Sequence, residues 1–272
     1  MPDADSLNAY TPAEIARRVE AAGESKARMA LLPLAMLSVL AGAFIGLGAM
    51  LSVMVRADAS LGFAASALLS GLVFSLGLLM VVVAGAELFT GNNLLVMAWA
   101  DGRIDSTQVL RNWVVVGLGN ALGAAALAWL VWASGHTTLN GGAVGQKVVQ
   151  IALAKQALPF WSAFLRGVLC NILVCMAVWM AMGGRSVVDK AIAVIFPVTA
   201  FVAAGFEHSI ANLYLLPQAM LLQDAGVLAD GPQLTLAGLL GNLVPVIAGN
   251  LVGGALLVGL VYWAIYLRQP RT

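Results

Sequence analysis

Two glutamates sit in stretches where a lipid bilayer admits almost no charge. Glu87 is the only acidic or basic residue between Leu61 and Ala100, and Glu207, followed by His208, is alone between Ala191 and Gln223. Both occupy the same frame: Gly85, Glu87 and Asn92 in the first stretch, Gly205, Glu207 and Asn212 in the second. A second pair of fragments, Gly119-Asn120-Ala121-Leu122-Gly123 and Gly249-Asn250-Leu251-Val252-Gly253, follows each at a similar interval. Order and spacing repeat together, as expected of a duplicated membrane unit.

The rest of the chain agrees with a membrane setting. Of 272 residues 61% are hydrophobic and 10% charged, against an apolar share near half in soluble domains. Crossing about 30 Å of hydrocarbon takes roughly 20 apolar residues. Uncharged runs of that order occupy Met29 to Val55, Asn112 to Ser134, Gly167 to Gly184 and Gly231 to Leu267. With the two stretches that carry the glutamates, six crossings are predicted, which places both termini on one side. Counting lysines and arginines on alternate sides gives ten against four, and the richer side holds the termini, so both are expected in the cytoplasm. No cleavable leader is read in the polar first 28 residues.

Net charge is +1, so no global field points to nucleic acid. Cys170 and Cys175, five positions apart on one helix, face directions about 140° apart and are read as packing residues. No metal site and no cofactor is expected. The expected organisation is a cytoplasmic amphipathic helix within residues 1–28, a six-helix transmembrane domain over 29–268 and a cytoplasmic tail over 269–272. Thr11-Pro12-Ala13-Glu14 reads as a capping box opening that first helix. It is expected to lie at the lipid headgroups, with gating as the alternative role.

Residues 84–92 and 203–210 interrupt the second and fifth apolar stretches, so neither is predicted as a continuous helix. Unpaired backbone in hydrocarbon costs several kcal/mol per group, so such breaks survive only inside protein or along a wet cavity. Glu87 and Glu207 are expected to cap the half-helices that begin there, with Asn92 and Asn212 beside them. Two related halves of three crossings each must run in opposite directions and bring the breaks together near the midplane. The glycines at three- and four-residue spacing then let helices approach closely.

His208 is the foremost candidate for chemistry, because an ionisable residue at that depth marks a pathway. Burial disfavours the charged imidazole and a neighbouring carboxylate favours it, which leaves its protonation state open. Thr90 lies inside the first break, and Asn171 inside an otherwise apolar helix where a lone amide would be costly. Lys155 closes the linker before the fourth crossing, read either as a snorkelling lysine or as an attractor of anions.

Residues 84–92 (Ala-Gly-Ala-Glu-Leu-Phe-Thr-Gly-Asn), 170–175 (Cys-Asn-Ile-Leu-Val-Cys) and 205–212 (Gly-Phe-Glu-His-Ser-Ile-Ala-Asn) together resemble the formate/nitrite transporter family over nearly the whole chain. The resemblance implies an all-α, aquaporin-like fold of two inverted three-helix repeats with helices 2 and 5 broken. It also implies a homopentamer in a bacterial inner membrane, each protomer with its own pore for a small monovalent anion. By the same resemblance His208 is the central pore histidine, Thr90 and Asn171 bond it or the anion, and Lys155 with Glu207 shapes the local field. Leu78, Leu88, Phe89, Val174 and Phe201 correspond to two apolar constrictions. The chain is therefore expected to be a transporter and not an enzyme, with formate, nitrite and protons as its small partners.

Residues 196–202 and 214–217 look closer to formate members and residues 152–155 and 167–171 to nitrite members, with formate the favoured substrate. Hydrosulfide, acetate and lactate are secondary candidates, because a small apolar throat selects mainly by size and acid strength. A neutral-solute channel of aquaporin type would share the six crossings, but Asn-Pro-Ala occurs nowhere in the chain. An intramembrane hydrolase using His208 and Ser209 is opposed by geometry, since adjacent helical side chains diverge by about 100°.

Overall fold

The structure, a computed structural model, describes residues 9–268; the expected tail at 269–272 and the first eight residues lie outside them. Among the described residues there is helix and turn but no strand. Thr11 opens α1 (Pro12–Ala27) as the sequence indicates: its hydroxyl accepts from the Glu14 backbone amide, and the Glu14 carboxylate accepts from the Thr11 amide. Instead of lying free along a surface, α1 seats Ile15 and Val19 against α7 (Phe160–Gly183) and against a 3-10 turn at Gly91–Leu95. Its apolar stripe is used inside the protein.

Among the described residues, five helical stretches are long and apolar enough to cross a membrane: Leu31–Arg56, Phe63–Gly85, Ser106–Ala133, Phe160–Gly183 and Leu236–Tyr266. In element terms these are α2 (Leu31–Arg56), α3 (Phe63–Met80) with a π turn at Val81–Gly85, and α5 (Ser106–Ala133), followed by α7 and by α10 (Leu236–Leu251) extended through a π segment into α11 (Val261–Tyr266). The sixth stretch, 191–223, is divided between α8 (Val187–Ala203) and α9 (Ser209–Asp224), of 17 and 16 residues. After the first break the chain re-enters helix through the 3-10 turn and the short α4 (Val96–Ala100). A further helix, α6 (Ala143–Gln156), lies before α7.

Packing pairs the elements in a repeated way. α2 lies along α5 in the first half, α7 lies along α10 in the second, and α3 packs on α8 between them. The glycines set those distances. A methyl group on Gly123 would overlap the Val39 carbonyl, and one on Gly253 the Val168 carbonyl, so the backbones touch where any side chain would hold them apart. Cys170 and Cys175 are buried free thiols. Large apolar side chains such as Leu118, Leu122 and Trp161 point outward, as lipid or neighbouring protein requires.

Candidate functional site: two helix breaks and a buried histidine

Both breaks begin at a glycine in the left-handed region, Gly85 at φ +81° and Gly205 at φ +69°, which costs glycine no steric penalty. Several of the amides released there are bonded by other parts of the protein. The Glu87 amide donates to Leu37 O at 3.2 Å and the Glu207 amide to Arg166 O at 3.3 Å. Asn120 accepts from the Phe89 amide (2.8 Å) and donates to Ser38 O and Glu87 O (2.7 and 2.9 Å). Asn250 does the same for the second break, accepting from the Ser209 amide (3.0 Å) and donating to Gly167 O and Glu207 O (2.8 and 3.1 Å). Two wholly buried amides thus hold open two stretches of backbone that hydrocarbon alone would not tolerate.

The two carboxylates sit in matching sets of four. Glu87 accepts from Lys26 Nζ (3.1 Å) and Asn92 Nδ2 (2.7 Å); Asn92 also donates to Asn112, whose amide donates to Lys26 O. Glu207 accepts from Lys155 Nζ (2.8 Å) and Asn212 Nδ2 (2.7 Å); Asn212 also donates to Asn242, whose amide donates to Lys155 O. The expectation that these glutamates cap half-helices is therefore corrected: they bind an ammonium and asparagine amides, while α9 is capped by the neighbouring histidine. Lys26, Asn112 and Asn242 join the site although sequence reasoning does not single them out. A readable signal exists for the asparagines, since Asn112 precedes Asn120 by the interval at which Asn242 precedes Asn250. For Lys26, counted only toward topology, the pairing becomes visible once α1 folds back.

His208 is the N-cap of α9, and its Nδ1 accepts from the Ala211 amide at 3.2 Å. That contact leaves no room for a proton on Nδ1, so Nε2 carries the hydrogen and donates to Thr90 Oγ1 at 3.1 Å. The hydrogen bond joins the second break to the first. Phe201 stacks on the imidazole with ring centres 5.8 Å apart and 18° between planes, and Phe74 meets Phe201 edge-on at 5.6 Å. His208 is 3% exposed and Thr90 0%.

Two cavities flank this contact and share no lining residue. One, of about 310 Å³, lies on the face that carries α1 and is lined by Lys26, Glu87, Leu78, Leu88 and Lys190 among others. The other, of about 230 Å³, lies on the face that carries α6 and is lined by Lys155, Glu207, His208, Phe201, Arg56 and Arg166 among others. Leu78, Leu88 and Phe201 are thus found along the cavities, whereas Phe89 and Val174 are buried behind them. Asn171 lines neither cavity; its amide donates to Thr90 O, Asn93 Oδ1 and Asn250 O, tying the two breaks together, and makes no hydrogen bond to His208 among the described residues. Lys155 and Lys26 each lie within 3.0 Å of a glutamate oxygen, so neither contributes a free positive charge. No group of His, Cys, Asp and Glu suited to a metal ion occurs among the described residues.

Outside the apolar spans, a cluster of titratable side chains joins α1 to the segment after α4. Glu20 is almost fully buried 2.8 Å from Arg103 Nε, and Arg103 also reaches Asp101 and Glu24. Burial first, and then a hydrogen bond and the negative charge of Asp101, push the Glu20 carboxyl up to about 7.

Long apolar helices, two breaks that meet at a buried histidine and two largely apolar cavities, each with a lysine–glutamate pair in its lining, define an all-helical membrane protein with a transport-type interior. Residues 13–264 match the family described as formate/nitrite transporter. The chain belongs to that family. It is 40% identical over 270 residues to the formate channel FocA of Escherichia coli (strain K12), covering 95% of each chain. A solved structure titled "Pentameric formate channel with formate bound" superposes with a TM-score of 0.81 at 37% identity, covering 88% of this chain and 98% of the other. An aquaglyceroporin from Plasmodium falciparum shares the fold alone, with a TM-score of 0.52 at 16% identity over 87% of this chain and 96% of the other.

Proposed function

We propose that this protein carries formate across a bacterial inner membrane through a pore in each protomer of a homopentamer, with a proton moving through His208. The observation that carries the reading is the hydrogen bond from His208 to Thr90, made where the two breaks meet between two cavities. A bare anion entering the apolar neck beside Phe201, Leu78 and Leu88 forfeits its hydration, at a cost of many kcal/mol before relaxation. Formic acid avoids most of that cost. With Nε2–H directed at Thr90 Oγ1, the threonine hydroxyl is left to donate to an arriving carboxylate: the carboxylate takes the hydroxyl proton, Thr90 takes Nε2–H, and Nδ1, released by the Ala211 amide, takes a proton from water of the α6-face cavity, so that the imidazole stays neutral and the acid formed is neutral. Glu207 and Lys155 act as one neutral unit that fixes the mouth of α9 in place.

Six crossings in two inverted halves, with both termini in the cytoplasm, complete the proposal. The matched sets around Glu87 and Glu207 support the inversion, and the ten-to-four distribution of basic residues supports the orientation. On this reading α1 faces the cytoplasm and α6 the other side, and residues 1–28, 29–268 and 269–272 act as helix, channel and tail. Nitrite is the second reading, carried by residues 152–155 and 167–171, since it is also a bent oxyanion whose conjugate acid is small and neutral. Catalysis is not part of the proposal: both imidazole nitrogens are engaged by Thr90 and Ala211, and Ser209 Oγ has no partner among the described residues.

The test is uptake of labelled formate and labelled nitrite into proteoliposomes across external pH, for wild type and His208→Phe. Formate preferred by the wild type, with proton-linked flux lost in the variant, is the expected result. Preferred nitrite would reassign the substrate, and unchanged flux and pH dependence in the variant would remove the histidine from the mechanism.

A further inference from the structure

Among the cationic side chains along the α6-face cavity, Arg56 stands apart. It ends α2 and crosses to the other two elements at that mouth: Nε donates to Ser70 Oγ of α3 at 3.2 Å, and Nη2 donates to Val202 O near the end of α8 at 2.9 Å. Of the five N–H groups on a guanidinium, two are engaged in this way. No carboxylate oxygen of the described residues lies within 4 Å of it, in contrast to Lys26, Lys155 and Arg103. Asp58 is nearby in sequence, but its carboxylate is taken by the amide and hydroxyl of Ser60 at 2.8 and 2.7 Å.

Arg56 also borders two cavities at once. It lines the α6-face cavity together with His208 and Lys155, and an adjoining cavity of about 310 Å³ with Lys147, Ser66 and Asp58, whose carboxylate is held by Ser60. Two hydrogen bonds replace only part of the hydration that a half-buried guanidinium loses, and no carboxylate of the described residues replaces the rest; its planar fork matches a two-oxygen anion better than an ammonium does. Lys155 is neutralised by Glu207 at 2.8 Å. The positive field in this mouth therefore comes from Arg56 and Arg166, and of the two Arg56 is the one whose side chain hydrogen-bonds to two neighbouring helices among the described residues.

We infer that Arg56 forms a binding site for a small planar monoanion, such as a carboxylate, outside the neck at Phe201 and His208, where the anion is held before it meets the histidine. The site gathers anions from the α6 face and sets the concentration at which passage from that side saturates. It rests on the anion-transport reading above, and goes beyond it by assigning the capture step to a residue other than Lys155.

Two measurements test it. The first is flux of labelled formate from the α6 face at about 20 mM and about 500 mM salt, for wild type, Arg56→Gln and Arg56→Lys. Arg56→Gln is expected to raise the half-saturating formate concentration about three- to tenfold at low salt and less than about twofold at high salt, with Arg56→Lys in between, because screening removes a steering charge. An equal loss at both salt concentrations and from both faces would make Arg56 a structural brace and overturn the inference. The second is modification of wild-type protein by phenylglyoxal, read by mass spectrometry of the peptide that carries Arg56, with and without formate. Protection by formate is expected, and absence of protection in protein that transports formate would remove the site. Protection without any flux would uphold the site and sink the transport reading.

Discussion

Thr90 Oγ1 and His208 Nε2 lie 3.1 Å apart although 118 residues separate them in the chain. Each belongs to a different helix break, so this hydrogen bond is where the two interrupted segments become one site. Because Nδ1 is occupied by the Ala211 amide, the bond also fixes which nitrogen faces Thr90. A proton held there is directed toward the first break rather than into the helix that His208 caps.

Thr90→Val keeps the shape of the side chain and deletes the hydroxyl. Losing one buried hydrogen bond of about 1 kcal/mol corresponds to roughly a fivefold fall in proton-linked formate flux. Thr90→Ser should retain most of it. Uptake at several external pH values measures both, and equal fluxes in the valine variant and wild type would detach Thr90 from the pathway.

Lys155→Met leaves Glu207, 3% exposed, without its ammonium. Breaking a buried pair from one side costs about 3–5 kcal/mol, so thermal unfolding in detergent should begin well below that of wild type. Adding Glu207→Gln removes the stranded charge and keeps the bonds from Asn212 and Asn242 within reach, so the double variant should regain much of the loss. A double variant as unstable as the sum of its two single changes would contradict the pairing.

Asn250→Ala exposes three partners at once, the Ser209 amide and the Gly167 and Glu207 carbonyls. Each unsatisfied buried group costs about 1–3 kcal/mol, and a loss of at least about 3 kcal/mol is expected. Asn120→Ala should behave alike in the first half. Melting temperature and monodispersity of the purified variants measure this.

Glu20 gives the contact between α1 and the segment after α4 a pH dependence. Its carboxyl is raised from 4.5 to about 7, so the folded state holds the proton more tightly than the unfolded chain does. The stabilisation is present in full below about 4.5 and is lost as pH rises through about 7. Arg103, Asp101 and Glu24 are the charged groups that face the cluster. Amide exchange of α1, corrected for intrinsic rates, should be faster at pH 8 than at pH 5.5, and Glu20→Gln should flatten that difference.

Much of the site is legible in the chain itself. A glutamate and a histidine in an apolar stretch announce themselves, because hydrocarbon tolerates them only where protein encloses them. The helix breaks are legible for the same reason, as glycine and polar residues interrupt a pattern that otherwise propagates. Partnerships are not legible. Position at a break points Glu87 and Glu207 to backbone amides, yet Lys26 and Lys155 reach them from helices that precede them by 61 and 52 residues. Nor does its place in one apolar helix reveal that Asn171 ties Thr90, Asn93 and Asn250 together.

The sequence by itself determined which stretches are apolar enough for a membrane, where two of them break and which ionisable groups lie at those breaks. Hydropathy and backbone chemistry are local properties, and a bilayer converts them directly into position. Only the tertiary structure decided which lysine neutralises which glutamate, that α1 folds inward to supply one of them, and that Arg56 has no counter-ion among the described residues. Those outcomes depend on distances of a few ångströms between distant parts of the chain, which close glycine contacts between packed helices set and linear spacing does not record.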